Sequence, residues 1–512
     1  MQYRYIKTFI LLAVVGGLVS CQEQVQKRTI VEKPNIVIFY VDDLGYGDVG
    51  CYGAKGVQTP VVDRLAAQGL RMTDAHSGAS TCTPSRYSLL TGRYAFRNQA
   101  AVLPGDAPLL IDTVQMTLPK LLGRAGYRSA VVGKWHLGLG NGNIDWNGSV
   151  SPGPLEIGFD YSYLLPATGD RVPTVYLENH EVVNLDPNDP ISVSYGAPIG
   201  DRPLGYEHPE LLRYGADRQH GETIVNGISR IGYMAGGEEA LWVDEEFPEV
   251  LNQKAINFIQ ESKDDPFFLF YSFHDIHVPR LPNEQFQGAS TMGVRGDAIA
   301  QMDWTVGQIL NEIERLGLAE NTLVIFTSDN GPVLNDGYDD QAVELLGDHL
   351  PGGIYRGGKY SAFEAGTRVP TIVYWPGQVQ PAVSEALFTQ VDLMASLSAL
   401  AGVQATGSEL SDSQNQLEAM LGRSAQGRKY MLEEAYTMAI RSKDWKYIAP
   451  VPADKAYPAW LKDKDVEGGM DTIPQLYHVA NDPSEQVNVA AQNPEVVAEL
   501  TNELNEILKD NL

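Results

Sequence analysis

Residues 35–43 read NIVIFYVDD: a short run dense in β-branched and aromatic side chains that ends in two aspartates. Such a run, with no polar alternation, is the pattern of a strand buried on both faces. RSAVVGKW (128–135), PFFLFYSF (266–273), TLVIFTS (322–328) and VPTIVYW (369–375) repeat it. Between them lie segments of helical period: TPVVDRLAAQGL, LPKLLGRAG, PEVLNQKAINFIQESK and DAIAQMDWTVGQILNEIERLG. In the first, Thr59 reads as the cap and Pro60 as the first helical residue. The alternation predicts an α/β fold over 34–405, a large, mostly parallel sheet sandwiched by helices. The polar segment 406–427 reads as a linker. Beyond it MLEEAYTMAIRS, WKYIAP, PQLYHVA and PEVVAELTNELNEIL predict a small antiparallel sheet plus a helix, a C-terminal subdomain over 428–512.

With 512 residues and 43% hydrophobic content, the chain can build more than one core, and no tract is of low complexity. The formal net charge of −27 argues against nucleic-acid binding, which needs a basic footprint. An anionic ligand would need a locally basic pocket.

Arg4 and Lys7 precede the apolar run TFILLAVVGGLV, which is too short to span a bilayer and has the form of a secretory signal. Leu18-Val19-Ser20-Cys21 resembles the lipobox of bacterial lipoproteins. The resemblance implies cleavage after residue 20, lipidation of Cys21, a tether over 22–33, and membrane anchoring facing the periplasm or cell surface. Of the other two cysteines, Cys51 reads as a small buried residue. A single disulfide between Cys51 and Cys82 remains open.

Ligands in open α/β sheets sit beyond the carboxyl ends of the strands. Here those ends carry polar groups: Asp42 and Asp43, Lys134 and His136, His274 and His277, Asp329 and Asn330. Asp42, Asp43, Asp329 and Asn330 offer only hard oxygens, which suit calcium or magnesium. Asp-Asp and Asp-Asn-Gly are also ordinary turn formers. Two such pairs at the ends of buried strands point to a metal site. Singly, Lys134, His136, His277 and Lys359 are ambiguous, and His274 reads as structural.

Cys82 opens CTPSRYSLLTGR, which reads as the start of a helix with Pro84 at its first position. A helix N-terminus favours both a thiolate and a bound anion. Two readings stand: a thiolate nucleophile with Arg86 gripping an anion, or a buried structural thiol.

Cys82-Thr83-Pro84-Ser85-Arg86, continuing to Leu90-Thr91-Gly92-Arg93, resembles the signature of the type I sulfatases of the alkaline-phosphatase-like superfamily. PNIVIFYVDDLGYGD, GYRSAVVGKWHLG, HDIHVP, FTSDNGP, RGGKYSAFEAGTRVP, RSKDWKYI and QLYHVANDP resemble further blocks of that family in the same order, over roughly 34–490. The resemblance implies that a maturation enzyme oxidises Cys82 to Cα-formylglycine. It implies one divalent cation, calcium with magnesium as the alternative, on Asp42, Asp43, Asp329, Asn330 and the modified Cys82. It implies Arg86, Lys134 and His136 as catalytic groups around the nucleophile, and His277 and Lys359 on the sulfate. His220, Arg171 and Arg230, in the insertion-rich tract after residue 158, are candidates for substrate contact or for holding loops.

The expected activity is hydrolysis of sulfate esters on oligo- or polysaccharides, algal glycans such as ulvan or carrageenan being favoured over glycosaminoglycans. A phosphate mono- or diesterase or phosphonate hydrolase of the same superfamily, and a non-catalytic glycan-binding surface lipoprotein, are the alternatives.

Overall fold

The computed structural model describes residues 33–461, 464 and 466–509. Cys21 and nearly all of the expected tether lie outside them. No helix among the described residues is long and apolar enough to cross a membrane.

The strands of the main sheet are β1 (Asn35–Val41), β2 (Leu70–Met72), β3 (Arg128–Lys134), β4 (Tyr161–Leu165), β5 (Leu177–Glu178), β6 (Glu181–Val182), β7 (Phe267–Ser272), β8 (Thr322–Ser328), β9 (Thr371–Tyr374) and β10 (Ala382–Ser384). Their spatial order is β10-β2-β9-β8-β1-β7-β3-β4-β5-β6. The central five, β8-β1-β7-β3-β4, are mutually parallel, and β9 and β5 flank them antiparallel. The register pairs Val41 with Ser328, Tyr40 with Ser272, and Ser272 with Gly133. Four strand ends therefore reach one edge at the same height.

β1 explains the sandwich. Its side chains alternate between faces, so Ile36, Ile38 and Tyr40 enter one core while Val37, Phe39 and Val41 enter the other. The first core is closed by α2 (Cys82–Thr91), α3 (Leu118–Arg124) and α6 (Leu393–Leu400), the second by α1 (Pro60–Gln68), α4 (Phe247–Ser262) and α5 (Gly293–Arg315). Both faces are covered, so the strand carries no polar alternation.

Two helix starts differ from expectation. α1 begins at Pro60, but the Thr59 hydroxyl does not cap it. Asp303 on α5 accepts from the Val61 and Val62 amides at 3.1 and 2.8 Å instead. α2 begins at Cys82 itself, which puts Pro84 at the third helical position. Proline is tolerated there because the amides of the first turn have no partner within the helix.

Segment 406–427 carries two short helices and is anchored where Met420 and Leu421 join the first core, while most of its other residues are exposed or half-buried. The small sheet, β11 (Met431–Glu434), β12 (Met438–Arg441), β13 (Trp445–Ile448) and β14 (Gln475–His478), is antiparallel in sequence order. α7 (Pro494–Lys509) packs on one face through Leu500 and Leu504. The seam between this sheet and the main domain is charged and buried. Asp74, Glu364 and Glu433 meet Arg368, Arg441 and Lys446 there, with His76 among them.

Candidate active site

The edge where these four strand ends meet assembles the site. Asp42 and Asp43 follow β1, Asp329 and Asn330 follow β8, Lys134 ends β3 with His136 just beyond, and His277 follows β7. All seven are buried. Lys134 ion-pairs with Asp42. Arg86 reaches across from α2, donating to Asp329 Oδ2 from Nε at 3.0 Å and from Nη2 at 2.8 Å, and to Ser272 Oγ. Asn330 donates to Asp43 Oδ1 at 2.8 Å, and Lys359 Nζ sits 2.9 Å from Asp43 Oδ2. His277 Nε2 lies 3.9 Å from the same oxygen.

The electrostatics of this edge are those of crowded carboxylates. Burial pushes Asp43 and Asp329 above the ordinary range, and nearby Asp42 adds to both. Burial opposes ionisation of Asp42 too, but Lys134 and Arg86 outweigh it. Asp42 Oδ1 and Asn330 Oδ1 are buried without a hydrogen-bond partner. Leaving buried acceptors unpaired is costly, and two orphaned oxygens beside three carboxylates fit a hard divalent cation. A second carboxylate–histidine group, Asp74, His76 and Glu364, does not fit one. Arg368, Arg441 and Lys446 already occupy its charge.

Cys82 is buried and unpaired, and Cys51 is also free and half-buried, so the possible disulfide is absent. Burial raises the Cys82 thiol above its ordinary value despite Lys134 and Lys359. An unmodified thiolate nucleophile is therefore disfavoured. The Cys82 Sγ lies 3.3 Å from His136 Nδ1, while His136 Nε2 lies 2.9 Å from the Leu103 carbonyl. A carbonyl only accepts, so Nε2 carries the proton and Nδ1 presents its lone pair to position 82. Burial, with Lys134 and Arg171 nearby, holds His136 well below the usual histidine value. The imidazole is therefore neutral in the resting site, with its Nδ1 lone pair directed at position 82.

His136 and Asp43 adopt left-handed backbone conformations, φ 55° and 57°, as does Tyr360 at 74°. Such conformations cost about 1–3 kcal/mol each and persist where the surroundings fix them.

Among the substrate candidates, Arg171 and His220 line the same pocket as Cys82, His136, His277 and Lys359. Arg230 does not. It is fully buried in a bidentate pair with Asp244, both bonds 2.8 Å, and holds loops together. His274 is structural, accepting from the Gly169 amide at 2.8 Å. Asp170, Asp336, Tyr360, Trp460 and Lys464 also line the pocket, and sequence reasoning does not reach them. Tyr360 adjoins Lys359, a signal that could have found it. Lys464 lies between two strands of the small sheet, and nothing local marks it.

Cys82 shares its pocket with the cations Arg171, Lys359 and Lys464, and Lys134 also acts on its thiol, a setting that suits an anionic ester presented to that side chain. The fold and site together define a hydrolase of sulfate- or phosphate-type esters. Comparison with known proteins narrows the class. The family model described as Sulfatase matches residues 34–403. An N-acetylgalactosamine-6-O-sulfatase from Bacteroides thetaiotaomicron is 50% identical over 497 residues, 96% of each chain. Human arylsulfatase A is 32% identical over 96% of this chain and 89% of its own. A solved sulfatase structure, from work on the metabolism of multiple glycosaminoglycans by Bacteroides thetaiotaomicron, superposes with a TM-score of 0.91 at 50% identity. It covers 93% of this chain and 99% of that one. The chain belongs to the sulfatase family and is a sulfuric ester hydrolase.

Proposed function

We propose that this sulfatase removes 6-O-sulfate from N-acetylgalactosamine in glycosaminoglycan-type oligosaccharides. The observation that carries this reading is the half-identity, along nearly the whole of both chains, with the bacterial N-acetylgalactosamine-6-O-sulfatase. The same relationship turns the expectation away from algal glycans and towards glycosaminoglycans. The complete set of polar groups around Cys82 argues against a non-catalytic binding protein.

Cys82 Sγ stands in for an oxygen of the hydrated formylglycine, and this aldehyde hydrate with a divalent cation would supply a nucleophile and a polarising charge. Asp42, Asp43, Asp329 and Asn330 would hold the cation. Lys134 and Arg86 lie where negative charge develops on the position-82 oxygen. His136 Nδ1, 3.3 Å from that position, would accept a proton from a hydroxyl of the position-82 hydrate. His277 and Lys359 line the pocket and would meet the sulfate of a bound substrate there. His277 Nδ1 lies 2.6 Å from the Val278 carbonyl, so its Nε2 is free to face the substrate. Lys359 is held cationic: burial opposes this, but Asp336 and Asp43 outweigh it. Lys359 is thus a fixed positive charge facing the pocket in the resting site.

The signal-like N-terminus and lipobox support export with a lipid on Cys21, and the Cys82 motif supports a maturation enzyme as partner. The test is sulfate release by protein co-produced with that enzyme. The panel is the 6-O-sulfates of N-acetylgalactosamine and N-acetylglucosamine, N-acetylgalactosamine 4-O-sulfate, carrageenan oligosaccharides and the matching phosphate esters. Release from the first compound well ahead of the others is expected. Preference for carrageenan or a phosphate ester overturns the proposal, as does an unmodified thiol in the Cys82 peptide of active protein by mass spectrometry.

A further inference from the structure

A continuous chain of charged contacts runs around the pocket. Arg171 Nη1 is 2.7 Å from Asp170 Oδ1, and Asp170 Oδ2 is 3.3 Å from His220 Nε2. His220 Nδ1 is 2.7 Å from Asp217 Oδ1, and Asp217 Oδ2 is 3.4 Å from Lys464 Nζ. Lys464 Nζ is also 3.2 Å from Asp336 Oδ1, whose other oxygen is 2.9 Å from Lys359 Nζ. The wall carrying Arg171 and His220 comes from the insertion after β4. The wall carrying Asp336 and Lys359 borders the metal-ligand edge. Lys464 joins them, and it comes from neither: it lies on the 449–474 connection between β13 and β14 of the small sheet.

We propose that Lys464 is a positioning residue that fixes the sugar-facing wall against the sulfate-facing wall; this rests on the carbohydrate-sulfatase reading above. Lys464 is only 6% exposed and already paired on both sides, so it acts through Asp217 and Asp336 rather than on the sugar. The two links are unequal in consequence. Asp336 keeps Lys359 and Tyr360 as partners when Lys464 is gone. Among the described residues the Asp217 carboxylate keeps only His220. With its outer tether lost, the Asp217 carboxylate can turn and take with it the arm of His220, Asp170 and Arg171 side chains, while the Asp217 amide stays bonded to the Gly337 carbonyl at 2.9 Å. Gly337 tightens the junction: its φ is 107°, and a side chain there would lie 2.2 Å from His220 Nδ1. The arm therefore has little slack while Lys464 holds it.

The test compares the matured full chain with its Lys464→Met and Lys464→Arg variants on two substrates. One is 4-nitrophenyl sulfate, which engages the sulfate-facing groups. The other is the best sulfated sugar of the wild-type panel. For Lys464→Met the ratio of kcat/KM on sugar to that on 4-nitrophenyl sulfate falls about tenfold or more, mainly through KM. Lys464→Arg recovers most of the ratio. Asp217→Asn gives the same selective loss, and combined with Lys464→Met adds little further, as expected for two residues on one arm. Asp217→Asn also carries the test if Lys464→Met does not fold. An unchanged ratio in both variants, or equal losses on both substrates, overturns the proposal. A wild-type enzyme that hydrolyses no sulfated sugar overturns instead the reading on which it rests.

Discussion

His136 Nδ1 presents its lone pair to Cys82 Sγ at 3.3 Å because the other ring nitrogen, Nε2, keeps its proton and donates it in a hydrogen bond to the Leu103 carbonyl. A backbone carbonyl from a loop thus sets the tautomer of a side chain that follows β3. Replacing His136 by Ala lowers kcat about 10²–10⁴-fold with a smaller effect on KM, the loss typical of a removed general base. Steady-state kinetics on matured protein checks this, and a variant losing only KM would remove His136 from the chemistry.

Stripping the cation exposes the oxygen cage to its own repulsion. Treatment with a chelator abolishes turnover and lowers the melting temperature, and calcium or magnesium restores both. The melting temperature is the decisive readout, since Asp43 and Asp329 sit above their ordinary range through burial and the neighbouring Asp42. A melting curve indifferent to chelator would rule the cage out as a metal site.

His76 makes the charged seam sensitive to pH. Burial disfavours its protonation, but Asp74 and Glu433, each 3.0 Å from a ring nitrogen, raise its pKa above the usual value. A group with a raised folded-state pKa stabilises fully below its unfolded value, about 6.5, and loses that contribution as pH rises through the folded value. The melting-temperature gap between wild type and His76→Gln is therefore widest in mildly acidic buffer and narrows above neutrality. A gap that widens with pH contradicts the assignment.

Gly133 occupies the rung before Lys134 with φ 110°, and a side chain there would stand 1.9 Å from the Ser272 carbonyl oxygen. Gly133→Ala destabilises by roughly 2–4 kcal/mol through strain and displaced backbone. It also moves Lys134, so activity falls further than stability explains. Denaturant unfolding and kcat/KM measured together separate the two effects.

Asp303 caps α1 from a distant part of the chain, so Asp303→Ala costs about 0.5–2 kcal/mol while leaving the pocket intact. The expected signature is a lower denaturation midpoint with unaltered KM.

Much of the fold was legible because β1 and its neighbours are buried on both faces and their runs end in chemistry-bearing residues. The parallel register then carries the motif residues to one edge without further information. The failures share a cause. Thr59 obeys the local capping rule, yet a carboxylate on another helix satisfies those amides. Arg230 has the residue type of a substrate contact, but Asp244 holds it elsewhere. Lys464 offers no local sign at all. Each turns on a partner distant in sequence, which neither periodicity nor spacing reports.

Cys82 is about 1% exposed, at the first position of a helix whose ten residues are all buried. A second enzyme working on that side chain needs a stretch of chain free enough to enter its own cleft, and the finished protein offers none. Under the proposed maturation, oxidation of Cys82 would have to precede docking of α2 onto β1, which makes folding a deadline for that step. On that proposal, chains that fold first would keep a buried thiol, and the active fraction of a preparation would record the outcome of that race.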